Sequence, residues 1–202
     1  PKQPITVYYR TDSSGTSEQF GKFLKGANAG ANERLWPKTA SGTFANQTPN
    51  NISTFFNFQG ASGSALVAAG VKGKVGGIGY GELSWATDNG LPVANIRNAA
   101  GEFIAPTAAG TSAFLGGGTI EANGSLTADY KKSISGAYPV ATASYGLVYP
   151  EAAKKDAATQ KIVAEWHTYM LQKCPAKFPE KGYAQITGPL YDKAMSQIAK
   201  IK

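Results

Sequence analysis

Apolar positions in the first part of the chain follow two different periods. Residues 5–9, Ile-Thr-Val-Tyr-Tyr, have the β-branched and aromatic content of a strand. Within residues 20–24, two phenylalanines and a leucine recur at positions i, i+3 and i+4, which is the spacing of one helix face. We therefore predict a strand at 5–9 and a helix over 16–25, joined by residues 10–16.

The rest of the chain alternates strand-like and helix-like segments, with glycine-rich turns in its first two thirds. Residues 26–57 show little periodicity and are predicted to be mostly loop with short helical pieces. The other predicted elements are a helix near 63–72, a glycine-rich strand at 75–80, a hairpin from 93–96 and 102–104, a helix and loops over 107–135, a second strong strand at 140–149, an amphipathic helix at 157–173, and a last helix beginning near Pro189. This order indicates α/β material followed by two closing helices.

The joining segment, Arg10-Thr-Asp-Ser-Ser-Gly-Thr16, has the composition of an anion-binding loop. Unpaired backbone N–H groups and the positive end of the helix dipole attract anions to a helix N-terminus. The guanidinium of Arg10 adds a planar fork of donors that suits a tetrahedral oxyanion. A helix-capping loop with a surface arginine is the simpler interpretation, and the loop by itself does not exclude it.

Composition narrows the functional classes further. A chain of 202 residues with 42% hydrophobic content can form one large domain or two small lobes. Its formal charge of +7 requires a nucleic-acid partner to be considered. The basic residues are scattered, however, and their densest pairs, Lys131-Lys132 and Lys154-Lys155, match no nucleic-acid motif. We therefore favour a solvated basic surface and expect no nucleic-acid partner.

The scarcity of cysteine and histidine excludes several kinds of site. Cys174 is the single cysteine and His167 the single histidine, so an intramolecular disulfide and most thiolate-based or histidine-based metal sites are excluded. We expect no metal and no cofactor, an inert thiol at Cys174, and an ordinary surface or half-buried position for His167. No apolar run reaches the roughly 18 residues of a membrane-spanning helix. Any targeting segment would have been removed or would lie outside this sequence.

Further motifs follow the loop in an order that matches a known family. They are Gly60-x-x-Gly63, then Gly76-Gly-Ile-Gly-Tyr80-x-Glu82, then Ala137-Tyr-Pro-Val140. With the arginine loop ahead of them, the chain resembles the second lobe of the PstS phosphate-binding proteins, the solute receptors of bacterial phosphate ABC transporters. The resemblance covers nearly the whole chain.

The resemblance implies an α/β, periplasmic-binding-protein-like (type II) fold, in which two lobes are joined by crossover strands and enclose the ligand. This chain is then the second lobe together with the C-terminal helices of the first. It divides into a phosphate-binding lobe at 1–137, an interlobe crossover strand at 138–150, and helices at 151–202 that belong to the other lobe. The missing N-terminal lobe would be supplied in cis or by a separate chain.

The same resemblance assigns the phosphate ligands of this lobe to Arg10, Ser14, Gly15 and Thr16. Arg10 would donate two parallel N–H bonds, Ser14 and Thr16 would donate their hydroxyls, and the N–H groups of 14–16 would point at the anion. The supporting residue is Asp12. It either pairs with Arg10, as the matching acid does in the family, or only caps the helix.

The resemblance makes the chain a non-enzymatic receptor that binds inorganic phosphate in the periplasm, or otherwise outside the cytoplasm, for an ABC permease. Two alternatives stay open, a phosphatase and a surface phosphate-scavenging protein built on the same fold. A lipid anchor would lie in the missing N-terminal part, so free and anchored receptors also stay open. Because the family's proton-accepting carboxylate belongs to the first lobe, we expect this chain alone to bind weakly and to discriminate poorly between phosphate and sulfate. Tyr80 and Glu82 are left undecided between the cleft and ordinary surface or core positions.

Overall fold

The computed structural model describes residues 3–27, 36–149, 156–179 and 182–202. A three-stranded parallel sheet forms the centre of the N-terminal part, with the strand order β2-β1-β3. Its strands are β1 (Thr6–Arg10), β2 (Phe58–Ala61) and β3 (Gly77–Gly79). In the middle of the sheet, Val7 of β1 lies opposite Phe58 on one side and Ile78 on the other. The predicted strand at 5–9 is confirmed, and the one at 75–80 forms only at its centre.

A helix follows each strand of this sheet. These helices are α1 (Gly15–Ala27), α3 (Gly63–Lys72) and α4 (Leu83–Asn89), while α2 (Phe44–Gln47) and a 3-10 turn (Ile52–Thr54) lie in the long connection before β2. The helices predicted over 16–25 and 63–72 are confirmed, and so are the short helical pieces in the described part of 26–57. Because all three strands are parallel, their carboxyl ends and the starts of the helices that follow them lie at one edge of the sheet.

Two glycines let β3 lie close to its neighbours. Gly76 has φ +80°, which L side chains rarely adopt, and a Cβ there would lie 2.4 Å from the carbonyl oxygen of Pro4. A Cβ on Gly79 would lie 3.0 Å from methyl groups of Val67 and Val71 on α3. The glycine-rich strand therefore has the structural role that the sequence indicates, because it lets α3 pack directly on the sheet.

Aromatic side chains fill the space between the sheet and α1. The ring centroids of Phe20 and Tyr80 lie 4.8 Å apart, those of Phe44 and Tyr80 5.1 Å, and those of Tyr9 and Phe44 5.6 Å. Such spacings are typical of stabilising ring contacts. This packing fixes the start of α1 relative to the end of β3.

A second packed region follows the sheet. The predicted hairpin is confirmed as β4 (Ile96–Arg97) and β5 (Phe103–Ile104), and the predicted helix in 107–135 as α5 (Ala108–Gly116). A further hairpin of β6 (Thr119–Ile120) and β7 (Leu126–Thr127) was not predicted. Phe114 and Leu115 of α5 form a buried core with Ala137.

The two closing helices are confirmed as α6 (Ala157–Gln172) and α7 (Gly188–Ile198), with a 3-10 turn (Pro175–Lys177) between them. The apolar face of α6 is largely exposed: Ile162, Trp166 and Tyr169 keep 65%, 56% and 58% of their surface accessible. Within the described ranges, no helix is both long and apolar enough to cross a membrane.

The strand predicted at 140–149, within the crossover at 138–150, was wrong for the described residues. Residues 138–149 form no regular strand, and Leu147 is 96% exposed. A strand needs a neighbouring strand for its backbone hydrogen bonds, and no described strand pairs with this segment. Residue 150 and the pair Lys154-Lys155 lie outside the described residues. The division into two lobes at this segment stays a prediction.

Candidate anion-binding site

Three loops meet at the carboxyl edge of the parallel sheet. Arg10 ends β1, and Asp12 follows it in the loop before α1. Ser64 is the second residue of α3 after β2, and Glu82 immediately precedes α4 after β3. In open parallel sheets this edge is where ligands bind, where successive connections leave in opposite directions. Here the central strand β1 is at that position.

Arg10 and Asp12 form the ion pair that the sequence leaves as one of two options. The Nε of Arg10 donates to Oδ1 of Asp12 at 2.8 Å, and Nη2 donates to Oδ2. The Asp12 carboxylate also accepts the backbone N–H of Gly63 at 2.9 Å, so it caps α3 rather than α1. The hydrogen bond from Arg10, followed by that from Gly63, holds the pKa of the Asp12 carboxyl well below its usual range. The same hydrogen bond raises the pKa of Arg10.

The guanidinium of Arg10 keeps donors in reserve. It has five N–H groups. Nε and one N–H of Nη2 go to Asp12, and one N–H of Nη1 goes to the hydroxyl of Ser64 at 3.0 Å. Two N–H groups, one on each terminal nitrogen, therefore have no partner among the described residues. The Arg10 side chain is 14% exposed, so these donors are oriented by the protein and still reach the surface.

The start of α1 offers two free backbone donors instead of three. The N–H of Ser14 is taken by the carbonyl of Gly42 at 2.9 Å, which differs from the expectation that it points at an anion. The Ser14 hydroxyl accepts the N–H of Ser17 at 3.3 Å and caps the helix, while its own proton stays available. The N–H groups of Gly15 and Thr16 have no partner in the described part of the chain, as expected for the first turn of a helix.

Glu82 joins two helix starts beside this loop. Its Oε1 accepts the hydroxyl of Thr16 at 2.8 Å, and its Oε2 accepts the hydroxyl of Ser64 at 2.9 Å. Burial acts to raise the pKa of this carboxyl, but the hydrogen bonds and the positive charge of Arg10 outweigh burial and lower the pKa. Glu82 is therefore ionised at neutral pH.

Tyr80 supports the loop from below. Its hydroxyl accepts the backbone N–H of Arg10 at 3.3 Å and shares a 2.6 Å hydrogen bond with the hydroxyl of Ser17. Burial raises the pKa of Tyr80, which keeps the phenol neutral. Sequence reasoning did not place Ser64 in the site and left Tyr80 and Glu82 undecided. The available signal was their position directly after predicted strands, because parallel strands bring such residues to one edge.

The described residues contain no group of three or more His, Cys, Asp and Glu side chains that could hold a metal ion. His167 lies on α6, half-buried, with its ring against Trp166 and the backbone of Gly146. Cys174 is a free, partly buried thiol. Neither residue contacts the loop between β1 and α1.

Comparison with known proteins places this arrangement in a family context. A family model described as a PBP superfamily domain matches residues 1–173. Over 161 residues the chain is 35% identical to the phosphate-binding protein PstS 2 of Mycobacterium tuberculosis, which covers 75% of this chain and 40% of the relative. It is 27% identical over 177 residues to the phosphate-binding protein PstS of Xylella fastidiosa, covering 85% of this chain and 44% of the relative. The chain thus spans less than half the length of these curated relatives.

A solved structure shows the same fold. It is the phosphate-bound, high-affinity periplasmic phosphate-binding protein PfluDING, which matches 98% of this chain and 57% of its own chain. The TM-score is 0.60 at 21% sequence identity. The likeness therefore concerns the path of the backbone.

Proposed function

Because the chain belongs to the PBP superfamily, we propose that its β1–α1 site binds inorganic phosphate, and that the protein serves as the extracytoplasmic solute receptor of an ABC-type phosphate importer. The observation that carries the proposal is Arg10, whose guanidinium is oriented by Asp12 and keeps two N–H donors beside the free first turn of α1. The names of relatives such as PstS 2 favour phosphate among the possible anions.

The proposed ligands are Arg10, Ser14, Gly15 and Thr16, with Asp12 as support. Arg10 would donate two N–H bonds, Gly15 and Thr16 their backbone N–H groups, and Ser14 its hydroxyl. Hydrogen bonds that involve a charged group contribute about 1.5–3 kcal/mol each. Several of them exceed the cost of immobilising a small ion, which is consistent with micromolar to millimolar binding.

We propose that binding in the complete protein involves a second lobe. The C-terminal helices would belong to that lobe, and residues 138–150 would cross between the two. The exposed apolar face of α6, which includes Trp166, favours a covering partner. The length of the relatives, of which this chain spans 40–44%, favours the same arrangement.

We propose binding without hydrolysis. A phosphatase needs a nucleophile with a base, or a metal cluster. The single histidine, His167, contacts Trp166 and Gly146 rather than the loop of Arg10. The relatives are named for phosphate binding, which favours a transport receptor over an enzyme.

Isothermal titration calorimetry with inorganic phosphate tests the proposed function. Arg10→Met should lower the phosphate affinity by at least about 30-fold, because it removes two charge-assisted donors and releases Asp12. The matched control is Arg97→Met, which removes the same charge from an exposed position on β4. Circular dichroism checks that both variants are folded. Equal phosphate affinity in the two variants would contradict the proposal.

A further inference from the structure

Glu82 is a charged group at the edge of the site that the proposed set of phosphate ligands does not use. It stands in the N-cap position of α4, yet its side chain does not cap that helix. Its two carboxylate oxygens instead accept the hydroxyls of Thr16 and Ser64, at 2.8 Å and 2.9 Å. Each of these residues is the second residue of its helix. The carboxylate thus links the first turns of α1 and α3.

The donor in both hydrogen bonds is unambiguous. An ionised carboxylate can only accept, and a hydroxyl has a single proton. The protons of Thr16 and Ser64 therefore point at Glu82. The oxygen of Ser64 also accepts an N–H of Arg10 at 3.0 Å. The oxygen of Thr16 has no such second donor among the described residues, so it presents only lone pairs to an occupant of the site.

The surroundings of Glu82 keep this arrangement in place at neutral pH. The charged group that acts on it is Arg10 from β1, and Arg10 is itself paired with Asp12. The groups that contact it from α1 and α3 are hydroxyls, which do not titrate. Tyr80, two residues earlier, is a phenol whose pKa is raised by burial. In the described part of the chain, Glu82 is therefore the group beside Thr16 that could take up a proton in mild acid.

An oxyanion next to Thr16 meets a conflict, because an anion oxygen and the Thr16 oxygen both present lone pairs. One proton removes this conflict in either of two ways. The anion can bring it, since an O–H of the ligand can donate to the Thr16 oxygen. Alternatively, Glu82 can take a proton from solvent and donate to Thr16, which then turns its own proton towards the anion. Phosphate carries a proton at neutral pH and sulfate carries none.

We propose that Glu82 makes anion binding at this site depend on one proton, so that protonated tetrahedral oxyanions bind in preference to fully deprotonated ones. The inference rests on the proposed function, since it concerns the same site. Glu82 is a positioning residue here, because it acts through the hydroxyl of Thr16. The expectation of poor discrimination assumed that the first lobe alone supplies a carboxylate, and Glu82 revises that expectation.

The test compares phosphate with sulfate, because sulfate does not titrate between pH 5 and 8 and so any proton uptake belongs to the protein. Calorimetry on the wild-type chain should show phosphate favoured by about tenfold or more at pH 7. Sulfate affinity should rise as pH falls, approaching about tenfold per pH unit, because one proton is taken up. Repeating the titration in buffers of different ionisation enthalpy measures that uptake directly.

The variant Glu82→Gln should remove both effects. The amide of glutamine can donate N–H to Thr16 and accept from Ser64, so it mimics a protonated Glu82. Sulfate binding should become tighter and independent of pH, and the ratio of phosphate to sulfate affinity should fall to within about threefold. The matched control is Glu165→Gln on α6, an exposed carboxylate 3.9 Å from Lys161, which should leave the ratio unchanged.

A second variant, Thr16→Val, keeps the test decisive if the Gln variant does not fold. It removes the hydroxyl at nearly constant volume, so the preference for phosphate and the proton uptake should both be lost. If the wild type and these variants share one affinity ratio and no proton is taken up with sulfate, the role of Glu82 is wrong while phosphate binding stands. If the wild type binds neither anion at any pH, both this inference and the proposed function are wrong.

Discussion

Asp12 supports two elements of the site at once, because its carboxylate holds the guanidinium of Arg10 and the first N–H of α3. Sequence reasoning reached the first of these contacts, since Arg-x-Asp spacing lets the two side chains meet. It could not reach the second, because Gly63 is 51 residues away and only the packing of β2 beside β1 brings it near. Glu82 has the same history, since its partners Thr16 and Ser64 lie on two other helices.

The lowered pKa of Asp12 predicts how stability depends on pH. Because the pKa is lower in the folded than in the unfolded state, the carboxylate contributes its full stabilisation above its ordinary value of 3.8. That contribution is lost as pH falls through the folded-state pKa. Asp12→Asn should therefore lower the melting temperature at pH 7 and flatten its decline in acid. Thermal unfolding monitored by circular dichroism between pH 2 and 7 measures both effects.

The control for this experiment is Asp88→Asn on α4, an exposed acid that should change neither the melting temperature nor its acid dependence by much. A small acid-dependent decline remains in Asp12→Asn, because the pKa of Glu82 is also lowered. An Asp12 variant whose melting curve follows the wild type at every pH would show that the Arg10–Asp12 pair adds no stability.

At the scale of elements, periodicity predicted the long helices well. Helices α1, α3 and α6 lie within two residues of the expected ranges. Strands were harder, because β6 and β7 have two residues each and are too short for an alternating pattern. The segment at 140–149 failed for the opposite reason. Its β-branched and aromatic residues favour a strand, but β propensity depends on a neighbouring strand that the described residues do not provide.

The turn before β3 gives a direct test of local structure. Gly76→Ala should destabilise the fold by about 1–3 kcal/mol, because alanine disfavours positive φ and its Cβ would meet the Pro4 carbonyl at 2.4 Å. Gly81→Ala is the matched control, since nothing lies within 4 Å of a Cβ there. Urea unfolding gives both free energies. A Gly76 variant as stable as the Gly81 variant would contradict the packing described for this turn.

At the scale of the whole molecule, the family match extends over residues 1–173, while the curated relatives described above are more than twice as long. The parallel sheet and the loops at its carboxyl edge account for the proposed phosphate site. The exposed face of α6 and the unpaired segment before it account for the proposal of a second lobe. The motif order along the chain pointed to this division, whereas propensities alone did not.

The central claim is that phosphate binds at the first turn of α1. The most direct measurement is a titration of the ¹⁵N-labelled chain with inorganic phosphate, followed by ¹H–¹⁵N correlation spectra. The account predicts saturable shifts that are largest for the amides of Gly15 and Thr16, and smaller for Ser14, whose N–H is already bonded to Gly42. Absence of saturable shifts, or shifts confined to surface lysines, would contradict it.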